Sequence, residues 1–216
     1  MKVRSTWDAN KLLNHIEKLG ENSDLSLRSL THKLVALLML LSASRVHCIH
    51  AFSTDALDMN DNQFVFYPTV LLKHSRPKFR GEPIVYKSFP QNSRLCVIHT
   101  LKEYISRRNL LVQTDALLVT YQKPHHPAHR DTVARWLKTI LLEAGIKNFT
   151  AHTYRAASTS SAANSHLPIS SILQQGQWTQ ESTWQKFYHK EIFVNKQTCD
   201  YAEQILVNRN IVEDEE

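Results

Sequence analysis

Residues 151–191 read AHTYRAASTSSAANSHLPISSILQQGQWTQESTWQKFYHKE. The order of chemical groups in this stretch decides how the rest of the chain is read. His152 and Arg155 open it. On a helix, positions i and i+3 share a face, so these two side chains can address one anion. An apolar turn from Ile169 to Leu173 leads to Gly176 and Trp178, and the stretch closes on Tyr188 among basic and aromatic neighbours. A tyrosine near a His/Arg pair is a candidate nucleophile toward phosphorus. A phenol ionises only near pH ~10, so it needs a proton acceptor and a positive field. His152 is the obvious acceptor. Trp178 can donate its indole N–H to a phosphate oxygen, or it can simply pack.

Working outward, Arg45 follows the most apolar run of the chain, Leu34 to Leu41. An arginine at such a corner is either a buried ion-pair partner or a ligand-facing group. A second arginine and a histidine favour the ligand. A phosphodiester under attack gathers charge on its nonbridging oxygens, which guanidinium forks bind with fixed donors. Two such forks can do electrostatically what metal ions do in other phosphoryl transfers. Lys73 opens the basic stretch Lys73-His-Ser-Arg-Pro-Lys-Phe-Arg80-Gly81. With His74, Arg76, Lys78 and Arg80 it is expected to form a DNA-contacting turn, which can also serve as a nuclear-import signal.

The elements around these groups predict an α+β, mostly α-helical domain with a small antiparallel sheet near its N-terminal side. Asp8 caps a helix with apolar face Leu12, Leu13, Ile16 and Leu19, stopped by Gly20. Ser26 caps a second helix to about Leu41, apolar nearly all round and hence central. Residues 42–50 form a turn and a short helix carrying Arg45. Asn60-Asp61-Asn62 turns a hairpin between Ala56–Leu57 and Phe64–Phe66. Val70–Leu72 and Ile84–Tyr86 extend it. Helices are expected over Leu95–Arg107, from a cap at Asp131 to Ala144 with Gly145 beyond, and over Lys196–Asn208. A turn or short strand is expected near Leu117–Tyr121.

Composition sets limits. The 216 residues carry a formal charge of +6, and Glu213-Asp214-Glu215-Glu216 is an acidic tail, so the body is more basic than the whole. That fits a polyanionic partner. Three separated cysteines make no disulfide framework or CxxC pair. The apolar run 34–41 falls far short of the ~20 residues that span a bilayer. Of the twelve histidines, His125, His126 and His129 share a Pro-containing loop, but no two pairs have zinc-site spacing, so no metal is expected.

The ordered set Arg45, Lys73, His152-x-x-Arg155, Trp178, Tyr188 resembles the catalytic domain of the tyrosine recombinases, the phage integrase family. The phrases AHTYRAASTSSAA, QWTQESTWQKFYHK and LLKHSRP look most like recombinases of DIRS-type retrotransposons. The resemblance implies a lead-in over residues 1–6, a catalytic domain over 7–208 and an acidic tail over 209–216. It implies that Tyr188 attacks a DNA phosphate to form a 3′-phosphotyrosyl link, which a freed 5′-hydroxyl reverses, without ATP, metal or other cofactor. Arg45 and Arg155 match the phosphate-clamping arginines. Lys73 matches the lysine that protonates the leaving oxygen, with Lys78 as the fallback. His152 matches the histidine that assists proton transfer, and Trp178 a position that is histidine in many members. The implied partner is double-stranded DNA, bound by a homo-oligomer (a tetramer), with no membrane and no small-molecule substrate. The implied location is the nucleus in a eukaryote and otherwise the cytoplasm.

The sequence departs from the family pattern at Cys48, where many members have an acidic residue, and in the spacing from Trp178 to Tyr188, one longer than the commonest. Typical members also carry an N-terminal helical DNA-binding domain. Here a short helix precedes the core, so a catalytic domain alone is expected, with DNA binding dominated by phosphate contacts and sensitive to salt. Two alternatives stay open: a DNA-binding module derived from such an enzyme but no longer catalytic, and a type IB topoisomerase.

Overall fold

The computed structural model describes residues 5–68 and 82–193. In chain order it contains β1 (Ser5–Trp7), α1 (Ala9–Lys18), α2 (Leu27–Ser42), α3 (Val46–His50), β2 (Leu57–Met59), β3 (Gln63–Phe66) and β4 (Ile84–Lys87). There follow α4 (Val97–Asn109), α5 (Arg130–Glu143), α6 (Thr153–Asn164), α7 (Ile169–Gln175), α8 (Glu181–Phe187) and β5 (Glu191–Phe193). The outcome is the expected mostly helical α+β architecture.

A helix apolar on every side must be surrounded, and α2 is. Ser26 starts it, its hydroxyl accepting from the Ser29 amide at 3.1 Å. Every residue from Leu30 to Leu40 is buried, His32 and Lys33 included, and α4, α5 and α6 pack on it. Asp8 likewise caps α1 through the Asn10 amide at 2.9 Å, and Gly20 leaves the helix at φ +98°.

The C-terminal end of α2 positions the site. Ala43 takes a left-handed conformation, φ 48°, which turns the chain out toward Ser44 and Arg45. The last carbonyls of a helix have no intrahelical donors. Here side chains of later elements supply them. Ser158 of α6 donates to Leu40 O at 2.5 Å, Gln175 of α7 to Leu41 O at 2.8 Å, and Arg155 Nη1 to Ala43 O at 3.0 Å. The end of α2 is therefore stitched to the elements that hold the His152–Tyr188 stretch.

β2, β3 and β4 form one antiparallel sheet in that order, with Phe64 opposite Tyr86 and Phe66 opposite Ile84. The Asn60 side chain turns the β2–β3 hairpin by accepting from the amides of Asn62 and Gln63, both at 2.9 Å. Phe52 stacks on Phe66 with centroids 3.9 Å apart, joining the sheet to the core.

Three features differ from the sequence expectations. The cap of α5 is His129, whose Nδ1 accepts from the Asp131 amide at 3.3 Å, while Asp131 stands in the first turn. Residues 117–121 form no strand, only an isolated bridge between Val119 and Pro127. Ser5 and Thr6, expected in a polar lead-in, belong to β1, which pairs in parallel with β5. Trp7 anchors that pair: its indole donates to Thr153 Oγ1 at 2.8 Å and its ring meets Tyr154 edge-on at 5.1 Å. The segment 70–72, the basic stretch 73–81, the expected helix 196–208 and the acidic tail lie outside the described residues.

Candidate active site

The site has a buried floor and an open wall. The floor is built on α6, α7 and α8. Arg155 enters the first turn of α6 and is 5% exposed. Its Nη1 donates to Ala43 O, and its Nη2 to Gly176 O. Its guanidinium carbon lies 3.8 Å from the Trp178 ring centroid and 5.0 Å from that of Tyr188, within cation–π range. Trp178 and Tyr188 pack together, centroids 4.8 Å apart. These rings sit on a small apolar cluster of their own, Ile172, Trp178 and Trp184, separate from the main core.

Gly176 is required by this packing. A Cβ there would fall 1.8 Å from the Trp178 ring, so no larger residue fits while the indole lies across it. Trp178 reaches that place because Gln177 takes φ 54°. Tyr188 ends α8, its amide donating to Trp184 O at 2.8 Å.

Electrostatics agree with an anion site. Burial, then the like charge of Arg45, lowers the Arg155 pKa to about 10, with Tyr188 and Cys48 opposing. Arg155 is therefore still charged at neutral pH. The fork has more N–H groups than its two carbonyls use. Its Nε, and Nε1 of Trp178, are buried with no protein acceptor among the described residues. Unpaired buried donors are costly; neither has accessible surface here, so an anionic oxygen would satisfy them only with a shift of the rings that cover them. Cys48 brings no carboxylate to this place. Burial pushes its thiol pKa up, against the pull of Arg45 and Arg155.

The wall faces solvent. Arg45 occupies the N-cap position of α3, and His152 stands exposed just ahead of α6. Both line a cleft of about 410 Å³ with His47, Arg130, Arg135 and Lys138. Asp131, the acidic residue in the lining, accepts from Arg130 Nε and Nη2 at 3.1 Å. Asp131, Ala134, Arg135 and Lys138 recur at i, i+3, i+4 and i+7 on α5, so one helix face supplies this side. The opposite face, Val133, Trp136, Leu137, Ile140 and Leu141, is buried.

The structure thus gathers Arg45, His152, Arg155, Trp178 and Tyr188 into one region. Lys73, His74, Arg76, Lys78 and Arg80 fall outside the described residues. Tyr154 points away from the site: it is fully buried and donates to Leu137 O at 3.2 Å. Arg135 and Lys138 of α5 join this wall by a helical spacing that is legible in the sequence.

A sequence model of the phage integrase family matches residues 8–192. No curated protein matches the chain. The fold is similar to that of XerH site-specific recombinase bound to a palindromic difH substrate in a post-cleavage complex. The TM-score is 0.64 and the identity 13%, over 99% of this chain and 54% of that one. XerA recombinase gives a TM-score of 0.63 and 15% identity over 97% and 65%. A lambda integrase tetramer bound to a Holliday junction gives 0.55 and 16% over 93% and 53%. The chain spans about half to two thirds of the length of these structures.

Proposed function

The chain belongs to the phage integrase family, and from that premise we propose that it is a site-specific DNA recombinase acting through a covalent phosphotyrosyl intermediate. The observation that carries this reading is the stack of Arg155 on Trp178 and Tyr188 beside a cationic cleft. Tyr188 Oη attacks the scissile phosphorus and gives up its proton to His152. The new Tyr188 O–P bond forms as the P–O5′ bond breaks. Lys73 protonates the departing 5′-oxygen. Arg155 and Arg45 neutralise the nonbridging oxygens, where fixed charge in a water-poor site acts most strongly. Attack by a 5′-hydroxyl of another strand reverses each step, so the bond is conserved and no ATP is consumed.

On this reading duplex DNA is the partner. Its phosphates run along the Arg135 and Lys138 face of α5, with Lys73 to Arg80 contacting the backbone as well. Assembly as a tetramer on DNA, kinship with DIRS-type elements and work in a nucleus are parts of the same proposal. The uncharged Cys48 between two arginines favours the second reading, a DNA-binding module that has lost catalysis.

Covalent trapping separates the two. The protein is incubated with a library of nicked duplexes and denatured, and DNA attached to protein is sequenced, with Tyr188→Phe in parallel. An adduct lost in the Phe variant, joined at one sequence, supports the recombinase. An adduct that survives moves the nucleophile elsewhere. Salt-sensitive binding without an adduct supports the binding module. Cleavage with no sequence preference points to topoisomerase-like chemistry.

A further inference from the structure

A nucleophile must be held as well as activated, and the turn that follows Tyr188 has a specific holder. Ser160 lies on α6 with no exposed surface. Its hydroxyl donates to Tyr188 O at 3.0 Å and accepts from the Lys190 amide at 2.9 Å. A hydroxyl carries one donor and two acceptor sites, so one oxygen pins the backbone on both sides of His189. His189 is fixed in turn, its ring stacked on Trp184 at 4.7 Å and 12° and its amide on Trp184 O at 3.0 Å. Immediately downstream, β5 is bonded to β1, and Trp7 of β1 is bonded back to Thr153 on α6.

We propose that Ser160 is a positioning residue for the Tyr188 nucleophile. This rests on the recombinase reading above. Ser160, Arg155 and the His152 corner share one helix, so the anion clamp, the proton acceptor and the clasp on the nucleophile's turn move as one body. Displacement of a reacting group by about 1 Å can cost 10²-fold in rate. Removing the hydroxyl frees the carbonyl of Tyr188 and the amide of Lys190, yet takes away nothing that touches DNA. The pairing of β5 with β1 is the second anchor, and it ties the placement of Tyr188 to the strand by which the chain enters the domain.

The test is Ser160→Ala in the full 216-residue chain, which deletes one buried atom, with far-UV circular dichroism to check that the variant is folded. The probe is the nicked duplex recovered by trapping. At saturating duplex, adduct formation is expected to slow by about 30- to 100-fold, with the half-saturating concentration unchanged and the melting temperature lowered, as two freed backbone groups require, but still well above the assay temperature. A 5′-bridging phosphorothiolate, whose leaving group needs no proton, leaves the deficit in place because the fault is on the attacking side. In solution NMR the Tyr188 ring resonances lose part of the displacement imposed by the Trp178 ring current. A rate within threefold of wild type, rescue by the phosphorothiolate, or Tyr188 resonances that do not move overturns the proposal. If the wild-type chain forms no adduct with any duplex, the recombinase reading fails, and the Tyr188 resonances alone decide whether Ser160 holds the turn.

Discussion

The floor and the wall of the site use the same kind of residue in opposite ways. Arg155 in the floor is buried, bonded to two backbone carbonyls and stacked on the Trp178 ring. Arg45 in the wall is half-buried at a helix cap and borders an open cleft. A guanidinium that closes off a helix end and also faces the reacting group serves stability and chemistry together. One that borders an open cleft and is half-buried stands where a ligand can reach it. The two regions should therefore separate when stability and activity are measured side by side.

The largest separation is expected between the two arginines. Arg155→Ala strands the carbonyls of Ala43 and Gly176 and removes the support under Trp178. It should cost about 2–4 kcal/mol in denaturant unfolding and abolish measurable cleavage. Arg155→Lys keeps the charge but not the fork and should recover little of either. Arg45→Ala should slow cleavage by about 10²–10³ while costing less stability than Arg155→Ala, since its side chain is half-buried rather than buried. Equal destabilisation by the two alanines would erase the distinction between floor and wall.

Gly176→Ala sharpens the same comparison without touching a charge. A Cβ 1.8 Å from the Trp178 ring forces the indole off Arg155. Overpacking of this kind costs about 1–3 kcal/mol, and cleavage should fall by about 10- to 100-fold as Tyr188 loses its neighbour. A variant that melts lower but cleaves normally would mean that the stack is packing alone.

These two sets of residues were unequally legible in the sequence. Local chemistry announces itself: Asp8 and Ser26 cap the helices they precede, Asn60 turns its hairpin, and the spacing of His152 and Arg155 marks the start of α6. What failed to show depends on pairings between distant parts of the chain. β1 and β5 are each three residues long and come from opposite ends of the described chain, too short for any period-2 pattern. Ser158 and Gln175 look like ordinary polar residues until the carbonyls of α2 arrive beside them. Asp131 was the better cap by residue type, yet His129 is placed to accept from its amide. The sequence allows Trp178 either packing or ligand contact; the structure packs it under Arg155 and against Tyr188, while its N–H has no protein partner among the described residues.

On the wall the expected effects are smaller and of another kind. Arg135 and Lys138 are exposed on α5. Arg135→Ala and Lys138→Ala should weaken duplex binding several-fold for all sequences alike. Each lost phosphate contact lowers the slope of log K against log salt by about 0.9. Melting should change by no more than about 0.5 kcal/mol, and cleavage at saturating duplex should stay near wild type. A salt slope that both variants leave intact would remove α5 from the DNA-facing surface.

The smallest effect at neutral pH, and the one furthest from the site, concerns His32. The chain has twelve histidines, and burial decides what each can do. His32 sits in the middle of α2, 2% exposed, near Tyr121 and Trp136. Burial, helped by the charge of Arg28, lowers its pKa from 6.5 to about 4. The unfolded chain therefore binds this proton more readily than the folded one. Stability is unaffected by the group above pH 6.5, falls as pH drops from 6.5 through about 4, and levels off below that. The full loss is about 3 kcal/mol at most. His32→Phe removes the titrating group, together with an Nε2 that lacks a protein partner among the described residues. It should flatten the acid limb of a stability–pH curve and leave cleavage at pH 7 unchanged. If the acid limb persists in His32→Phe, the proton is taken up elsewhere. If cleavage at pH 7 falls instead, the core around α2 and the cleft are coupled more tightly than the separation of floor and wall allows.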